Sequence, residues 1–441
     1  MALTLARALR FDGPRTAAFV GAGGKTTAMF QLARELPAPV LITTTTHLGA
    51  WQVALADQHV IFASPPDLSS LALRGVTVIT GRLTSEDRLG AVGNDALLWL
   101  HDTTLRQHVP LLIEADGSRQ KPLKAPASHE PEIPEWVDTV IVVAGLSGLG
   151  NSLSEATVHR PGRFAALSGL ALGETITPDA LARVLMHPEG GLKNIPSQAR
   201  RVALLNQADT SQLQSQAHGM ADQLLRTYDA VLVASMQDKL VHAVHESVAG
   251  IVLAAGGSTR LGRPKQLLDW HGEPFVRAVA RTALAAGLDP VVIVTGSGAE
   301  DVQAAVDGLP VHAIHNAEWQ SGQASSIRTG LQSLPASTGA AIFLLADQPQ
   351  VSFDVLNALV DRHAAGLSPI IAPLVMEERR ANPVLFDRQT FPDLMALEGD
   401  VGGRAVFSKY RVEYLPWHDD RLLLDVDTEA DYKRLVEDDT L

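Results

Sequence analysis

Short runs of β-branched and aliphatic residues alternate with helix-length amphipathic stretches along the whole of this 441-residue chain. That alternation restricts it to sheets whose neighbouring strands run parallel and are joined by crossover helices. In the first half the strand-like runs are Ala17-Ala-Phe-Val20, Val40-Leu-Ile-Thr43, Leu111-Leu-Ile-Glu114, Val140-Ile-Val-Val143, Val202-Ala-Leu-Leu205 and Ala230-Val-Leu-Val233. In the second they are Gly250-Ile-Val-Leu253, Val291-Val-Ile-Val294, Ala341-Ile-Phe-Leu-Leu345 and Ile370-Ile-Ala372. The length exceeds what one ordinary core fills, so two α/β domains are expected, 1–240 and 248–441. The stretch from Met236 to Ala249, polar and carrying histidines, is read as a helix between them. The two halves share a class and no internal repeat.

Composition removes several function classes. The formal net charge of −13 and the absence of a basic run speak against a nucleic-acid partner, which would need a surplus of Lys and Arg on one face. A phosphate-bearing ligand remains compatible, because a few backbone N–H groups, one or two cations and a metal ion make a local phosphate site. There is no cysteine, which excludes thiolate nucleophiles, disulfides and Fe–S ligation and leaves oxygen or imidazole as the metal donors. No apolar run reaches membrane-spanning length and the amino terminus lacks a signal-peptide pattern, so no membrane partner and a cytoplasmic location are expected.

In the second half the run Leu253-Ala-Ala-Gly-Gly-Ser-Thr-Arg-Leu-Gly-Arg-Pro-Lys265 follows a strand. Glycine belongs where a backbone turns sharply and approaches phosphate oxygens with no Cβ in the way. Leu253, Ala254, Ala255, Gly256, Gly257, Ser258 and Gly262 are therefore candidate nucleotide contacts, with Arg260 and Lys265 as the catalytic cations facing a triphosphate. A bare glycine-rich turn would carry no such meaning, but two further features accompany it. The strand Ala340-Ala-Ile-Phe-Leu-Leu-Ala346 ends in Asp347, a carboxylate at the end of a sheet strand, where open α/β folds hold ligands. Asp425-Val-Asp427 follows a third apolar run, and Asp427 serves equally well as a metal ligand or as a helix cap. Asp347 and Asp427 together suit Mg²⁺, which takes few protein oxygens and completes its shell with water and phosphate. Between them, Gly322-Gln-Ala-Ser325-Ser326 enters a helix and offers hydroxyls and free amides at a positive helix end. Loops at Arg380, Asn382 and 399–404 are candidates for shaping an acceptor pocket.

In the first half Phe19-Val-Gly21-Ala-Gly23-Gly24-Lys25-Thr26-Thr27 lies between a strand and a helix and ends as a phosphate-cradling P-loop does, although Phe19 stands where the first glycine of that motif belongs. Gly23, Gly24, Lys25, Thr26 and Thr27 are the candidate phosphate contacts, and Asp116 or Glu114, after the strand Leu111–Glu114, the candidate metal side. Thr43 to Thr46 offer further hydroxyls to the same phosphates, or form a polar turn. Asn206-Gln-Ala-Asp209 follows the pattern of a base-reading motif with Gln207 in place of its lysine, which leaves ATP and GTP both open. His47, His129 and His159 are possible ligands, or ordinary hydrogen-bonded side chains.

Taken together, the Leu253–Lys265 run, the Asn316–Ser326 segment, Leu-Ala-Asp-Gln-Pro349, Asn-Pro-Val-Leu-Phe386, Gly-Asp-Val-Gly-Gly-Arg404 and Asp-Val-Asp-Thr428 resemble the molybdenum cofactor cytidylyltransferases, a group of MobA-like NTP transferases, over residues 249–438. The resemblance implies a Rossmann-like, glycosyltransferase-A-like domain that transfers CMP from CTP to Mo-molybdopterin and releases pyrophosphate. Residues 15–235 resemble the YqeC family of selenium-dependent molybdenum hydroxylase accessory proteins, through Gly-Ala-Gly-Gly-Lys-Thr-Thr27, Glu-Ala-Asp-Gly-Ser118, Lys121-Pro-Leu-Lys124, His159-Arg160 and Asn-Gln-Ala-Asp209. That implies a P-loop-like nucleotide-binding domain serving the same cofactor, with a molybdenum hydroxylase or its chaperone as a partner. Two other readings stay open: a nucleotidyltransferase for another phosphorylated acceptor, and a nucleotide-dependent cofactor chaperone without transfer activity.

Overall fold

The computed structural model describes residues 3–13, 15–62, 72–85, 87–256, 263–376, 379–426 and 428–438. The chain divides into two compact units, Met1–His245 and Glu246–Leu441.

The first unit is built on a nine-stranded sheet in the order Leu240–Glu246, Ala230–Ser235, Arg200–Asn206, Thr139–Gly145, Thr16–Gly21, Leu111–Glu114, Val40–Thr44, Val76–Thr80 and Gln58–Ile61. The pairings from Ala230–Ser235 across to Gln58–Ile61 are all parallel. Central strands are buried on both faces: Thr139–Gly145 has no exposed position, as an interior parallel strand requires. The helix Lys25–Glu35 starts directly from the central strand Thr16–Gly21. Leu240–Glu246 corrects the expectation of a helix between 236 and 249. Val244 and Glu246 are the buried positions there, a spacing of two that a strand produces and a helix does not.

The second unit holds a mixed sheet in the order His312–His315, Val291–Thr295, Val248–Ala254, Ala340–Leu345, Val384–Asp387, Ile370–Val375 and Arg379–Arg380, with Val412–Trp417 also paired to Ile370–Val375. One face is covered by Phe275–Ala285 and Phe353–Gly366, whose Val276, Val279, Val355 and Leu359 pack on Val252 and Ile342. The other is covered by Gln323–Gln332, whose Ile327 and Leu331 meet Ile251 and Val294. Here too the expectation of purely parallel strands is corrected. Val384–Asp387 runs antiparallel to both of its neighbours. Only eight residues separate it from the end of Ile370–Val375, fewer than the dozen or so that a parallel crossover needs.

Candidate functional site

Each unit carries an open cleft at the carboxyl edge of its sheet. In the second unit, Leu253 pairs in register with Leu345 across two adjacent parallel strands, so the segment Ala254–Gly256 and Asp347 leave the sheet side by side. Lys265, at the start of a short 3₁₀ turn, brings its Nζ to 3.7 Å from Asp347 Oδ2. Leu253, Ala254, Ala255, Gly256, Lys265, Ser326 and Asp347 all line one open cleft. Gly257, Ser258, Arg260, Gly262 and Asp427 lie outside the described residues.

The serine pair divides. Ser326 lines the cleft, whereas Ser325 is turned into the scaffold, donating to the carbonyls of Gly322 (2.8 Å) and Glu318 (3.0 Å) and accepting from Asn316 Nδ2 (2.8 Å). Gly322, at φ +112°, cannot carry a side chain: a Cβ there would stand 2.5 Å from the backbone of Asp400. That close approach presses the 399–400 loop against the helix start, and Asp400 joins the cleft lining. Gln266, Trp319, Gln320 and Gln323 line it as well. Gln266 could have been suspected only from its position beside Lys265. Arg404 stays with Asn382 (3.3 Å) and Arg380 stacks over Tyr414, neither of them in the lining. Asp425 accepts a 2.6 Å hydrogen bond from Gln348, the residue that follows Asp347.

In the first unit, Gly21, Gly23 and Gly24 all have positive φ and carry the chain from strand to helix. A Cβ on Gly23 would fall 2.3 Å from Gly145 N, so the turn is available to glycine alone. Gly23, Gly24, Lys25, Thr26 and Thr27 line one open cleft. Lys25 is buried, its ammonium donating to Gly21 O at 2.7 Å and lying 3.2 Å from Asp116 Oδ1. Asp116 Oδ2 in turn accepts from Gly21 N (2.9 Å) and Lys124 Nζ (2.7 Å), so this carboxylate is held between two ammonium groups. Glu114 occupies a different place: its Oε2 accepts from Thr26 Oγ1 at 2.9 Å, and it lines the cleft. Burial pushes the Glu114 carboxyl above the ordinary range, against the opposing charge of Lys25 and the bond from Thr26.

The buried charges continue as a chain. Lys124 also donates to Glu130 Oε2 at 3.0 Å, and Arg160 grips Glu130 through both guanidinium nitrogens, at 2.8 and 2.9 Å. Burial alone would raise Glu130, but the bonds from Arg160 and Lys124 and their charges outweigh it and bring its pKa to about 2. His159 and His47 line the cleft, whereas His129 is exposed. Burial, then the charges of Arg160, Lys124 and Arg119, lower His159 to about 4. Asn206 is buried and serves the loop from behind: its Nδ2 donates to Gly23 O (2.7 Å) and its Oδ1 accepts from Met236 N (2.9 Å). Gln207 lines the cleft and Asp209 is exposed. The hydroxyls of Thr43 and Thr44 are taken up by the carbonyls of Ile79 and Glu114, which gives them a role within the sheet.

Among the described residues no group of three or more His, Asp or Glu side chains could hold a metal ion, and no helix is long and apolar enough to cross a membrane. A cation that takes one or two carboxylates and completes its shell with phosphate and water fits such a sparse donor set.

The profile of the YqeC protein matches residues 17–162, and that of the MobA-like NTP transferase domain matches residues 250–414. The chain is 37% identical over 205 residues to the uncharacterized protein YqeC of Escherichia coli (strain K12), covering 44% of this chain and 76% of that protein. It is 32% identical over 199 residues to the nicotine blue oxidoreductase of Paenarthrobacter nicotinovorans, covering 43% of this chain and 96% of the relative. The crystal structure of Rv0371c from Mycobacterium tuberculosis H37Rv shares 31% identity, covering 43% of this chain and 98% of its own, with a TM-score of 0.39.

Proposed function

This chain belongs to the YqeC family through its first unit and to the MobA-like NTP transferases through its second, and from that premise we propose that the second unit is a molybdenum cofactor cytidylyltransferase. A phosphate oxygen of Mo-molybdopterin attacks the α-phosphorus of CTP, the bond from that phosphorus to the bridging oxygen breaks, and pyrophosphate leaves. The nucleophile is already an anion, so no general base is required. Lys265 supplies a point charge to the α-phosphate and the departing pyrophosphate, with Arg260 as a second cation, and the amides of Ala254–Gly256 approach the phosphates. Asp347, with Asp427, would hold Mg²⁺, which when bound neutralises charge on the triphosphate.

The observation that carries this reading is the 3.7 Å approach of Lys265, in its 3₁₀ turn, to Asp347, which leaves the sheet beside the Ala254–Gly256 segment. It joins a phosphate-directed cation to a carboxylate that can take a metal, in one cleft. The test is pyrophosphate release from the full chain with Mg²⁺, Mo-molybdopterin and either CTP, GTP or ATP. Release with CTP, and not with the purine nucleotides, is expected. Release from CTP with a sugar phosphate instead of the pterin would move the acceptor class. Redox turnover of an aromatic substrate with no pyrophosphate, as the name of the nicotine blue oxidoreductase would lead one to look for, would overturn the transfer reading.

For the first unit, the reading is a P-loop-like site for ATP or GTP that serves maturation of a molybdenum hydroxylase. Lys25 and the Gly21–Thr27 turn face the phosphates, and Glu114, beside Thr26, is the better placed carboxylate for a metal than Asp116, which two lysines hold. Hydrolysis of ATP or GTP by a chain that transfers nothing from CTP would favour the chaperone alternative.

A further inference from the structure

The cleft that receives the Gly23–Thr27 turn has a net positive lining. Five Lys or Arg side chains, Lys25, Arg88, Arg119, Lys121 and Arg160, stand against Asp87, Glu114 and Glu130, in a chain whose formal net charge is −13. Lys25 is matched by Asp116 and Arg160 by Glu130. Among the described residues none of the ion pairs involves Arg88, Arg119 or Lys121, and Lys121 Nζ donates to the carbonyl of Ala156 at 3.1 Å. A concave surface with uncompensated cations concentrates anions.

The strand order sets one end of this surface apart from the base-reading candidates. Arg200–Asn206, which leads to Gln207 and Asp209, lies two places from Thr16–Gly21 on one side. Val40–Thr44, which leads to His47 and Trp51, lies two places away on the other side. Leu111–Glu114, which leads to Arg119 and Lys121, lies between Thr16–Gly21 and Val40–Thr44. Trp51 and Arg88, which pairs with Gly49, therefore stand on the flank away from the base-reading motif, and the segment carrying Arg119 and Lys121 crosses from there over the Gly23 turn to Gly145, whose N–H donates to Pro122 O at 2.9 Å. Trp51 is 62% exposed and presents an aromatic ring to the cleft. Arg119 and Gln120 hold consecutive left-handed conformations (φ +49° and +59°), sparsely populated for residues other than glycine, and such conformations gather at ligand sites.

We infer that Trp51, Arg88, Arg119 and Lys121, with His47 and His159, form a subsite for a phosphate monoester carried on a planar ring, occupied at the same time as the nucleotide. The cations take the phosphate and the indole takes the ring. The inference rests on reading the Gly21–Thr27 turn as a nucleotide phosphate site.

Calorimetry on the full chain tests it, with Mg²⁺ and saturating AMP-PNP and with pyridoxine 5′-phosphate as the probe. Pyridoxine, which has the ring alone, and orthophosphate, which has the phosphate alone, are the comparison arms. The probe is expected to bind at least tenfold more tightly than either, to quench fluorescence that is lost in Trp51→Ala, and to raise the NMR-measured pKa of His159. Arg119→Asn with Lys121→Gln should weaken the probe at least tenfold while AMP-PNP affinity stays within twofold; Asn is chosen because it tolerates positive φ. Unchanged probe affinity in that double variant, or one-for-one displacement of AMP-PNP by the probe, overturns the second site. Should AMP-PNP itself fail to bind, the nucleotide reading falls instead, and the same probe arms run without nucleotide still decide the subsite.

Discussion

Individual side chains at the two clefts have separable jobs. Asp347 is about a third exposed and stands at a strand end, so Asp347→Ala should leave the melting temperature where it is and reduce CMP transfer roughly 10²–10³-fold, the scale seen when one transition-state contact is removed. Transfer at wild-type rate would remove it from the metal role. Asn206 makes two buried hydrogen bonds that tie the Gly23 turn to Met236. Asn206→Ala leaves those partners unsatisfied at a cost of about 1–3 kcal/mol and should weaken nucleotide binding with Lys25 intact, measurable by urea denaturation and AMP-PNP titration. Acid sensitivity follows from Glu130 and His159. Both have lower pKa values in the fold than when unfolded, so both stabilise the folded state less as pH falls: His159 between about 6.5 and about 4, Glu130 between about 4.5 and about 2. Protection factors from hydrogen exchange, taken against the intrinsic rate at each pH, should fall for peptides covering 111–145 between pH 7 and 4.5, and His159→Gln should flatten that upper window.

Among the elements, legibility tracked burial. Val291–Thr295 and Ala340–Leu345 are continuous apolar runs because both faces of the sheet are covered, and such runs can be read without a structure. Gln58–Ile61 and His312–His315 are edge strands with mixed exposure, and nothing in Gln-His-Val-Ile or His-Ala-Ile-His separates them from a loop. The direction of Val384–Asp387 was hidden for a different reason, since a continuous apolar run carries no direction and only the short connection sets it. In the clefts, Gly23 and Lys25 were legible because a tight turn admits few residue types. Trp51, Arg88 and Arg119 were not, because they come together from three separate segments. The central strand of the second unit gives a sharp test: Ile342→Ala removes a fully buried side chain in contact with helices on one face and should cost about 2–5 kcal/mol. A loss under 1 kcal/mol by urea denaturation would contradict the packing described for that face.

Over the whole molecule, the two units give two clefts with different linings, one around the Gly21–Thr27 turn and the other around the Lys265–Asp347 pair. Equilibrium dialysis should accordingly find two nucleotides per chain when AMP-PNP and a non-hydrolysable CTP analogue are both supplied, and one in Lys25→Ala. CMP transfer in that variant should persist. The central claim is the transfer itself, and the most direct measurement follows the label from CTP into product with Mo-molybdopterin and Mg²⁺. Label in the α-phosphate should appear in a pterin dinucleotide and label in the γ-phosphate in pyrophosphate, in equal amounts. γ-Label recovered as orthophosphate, with no α-label joined to the pterin, would contradict the account.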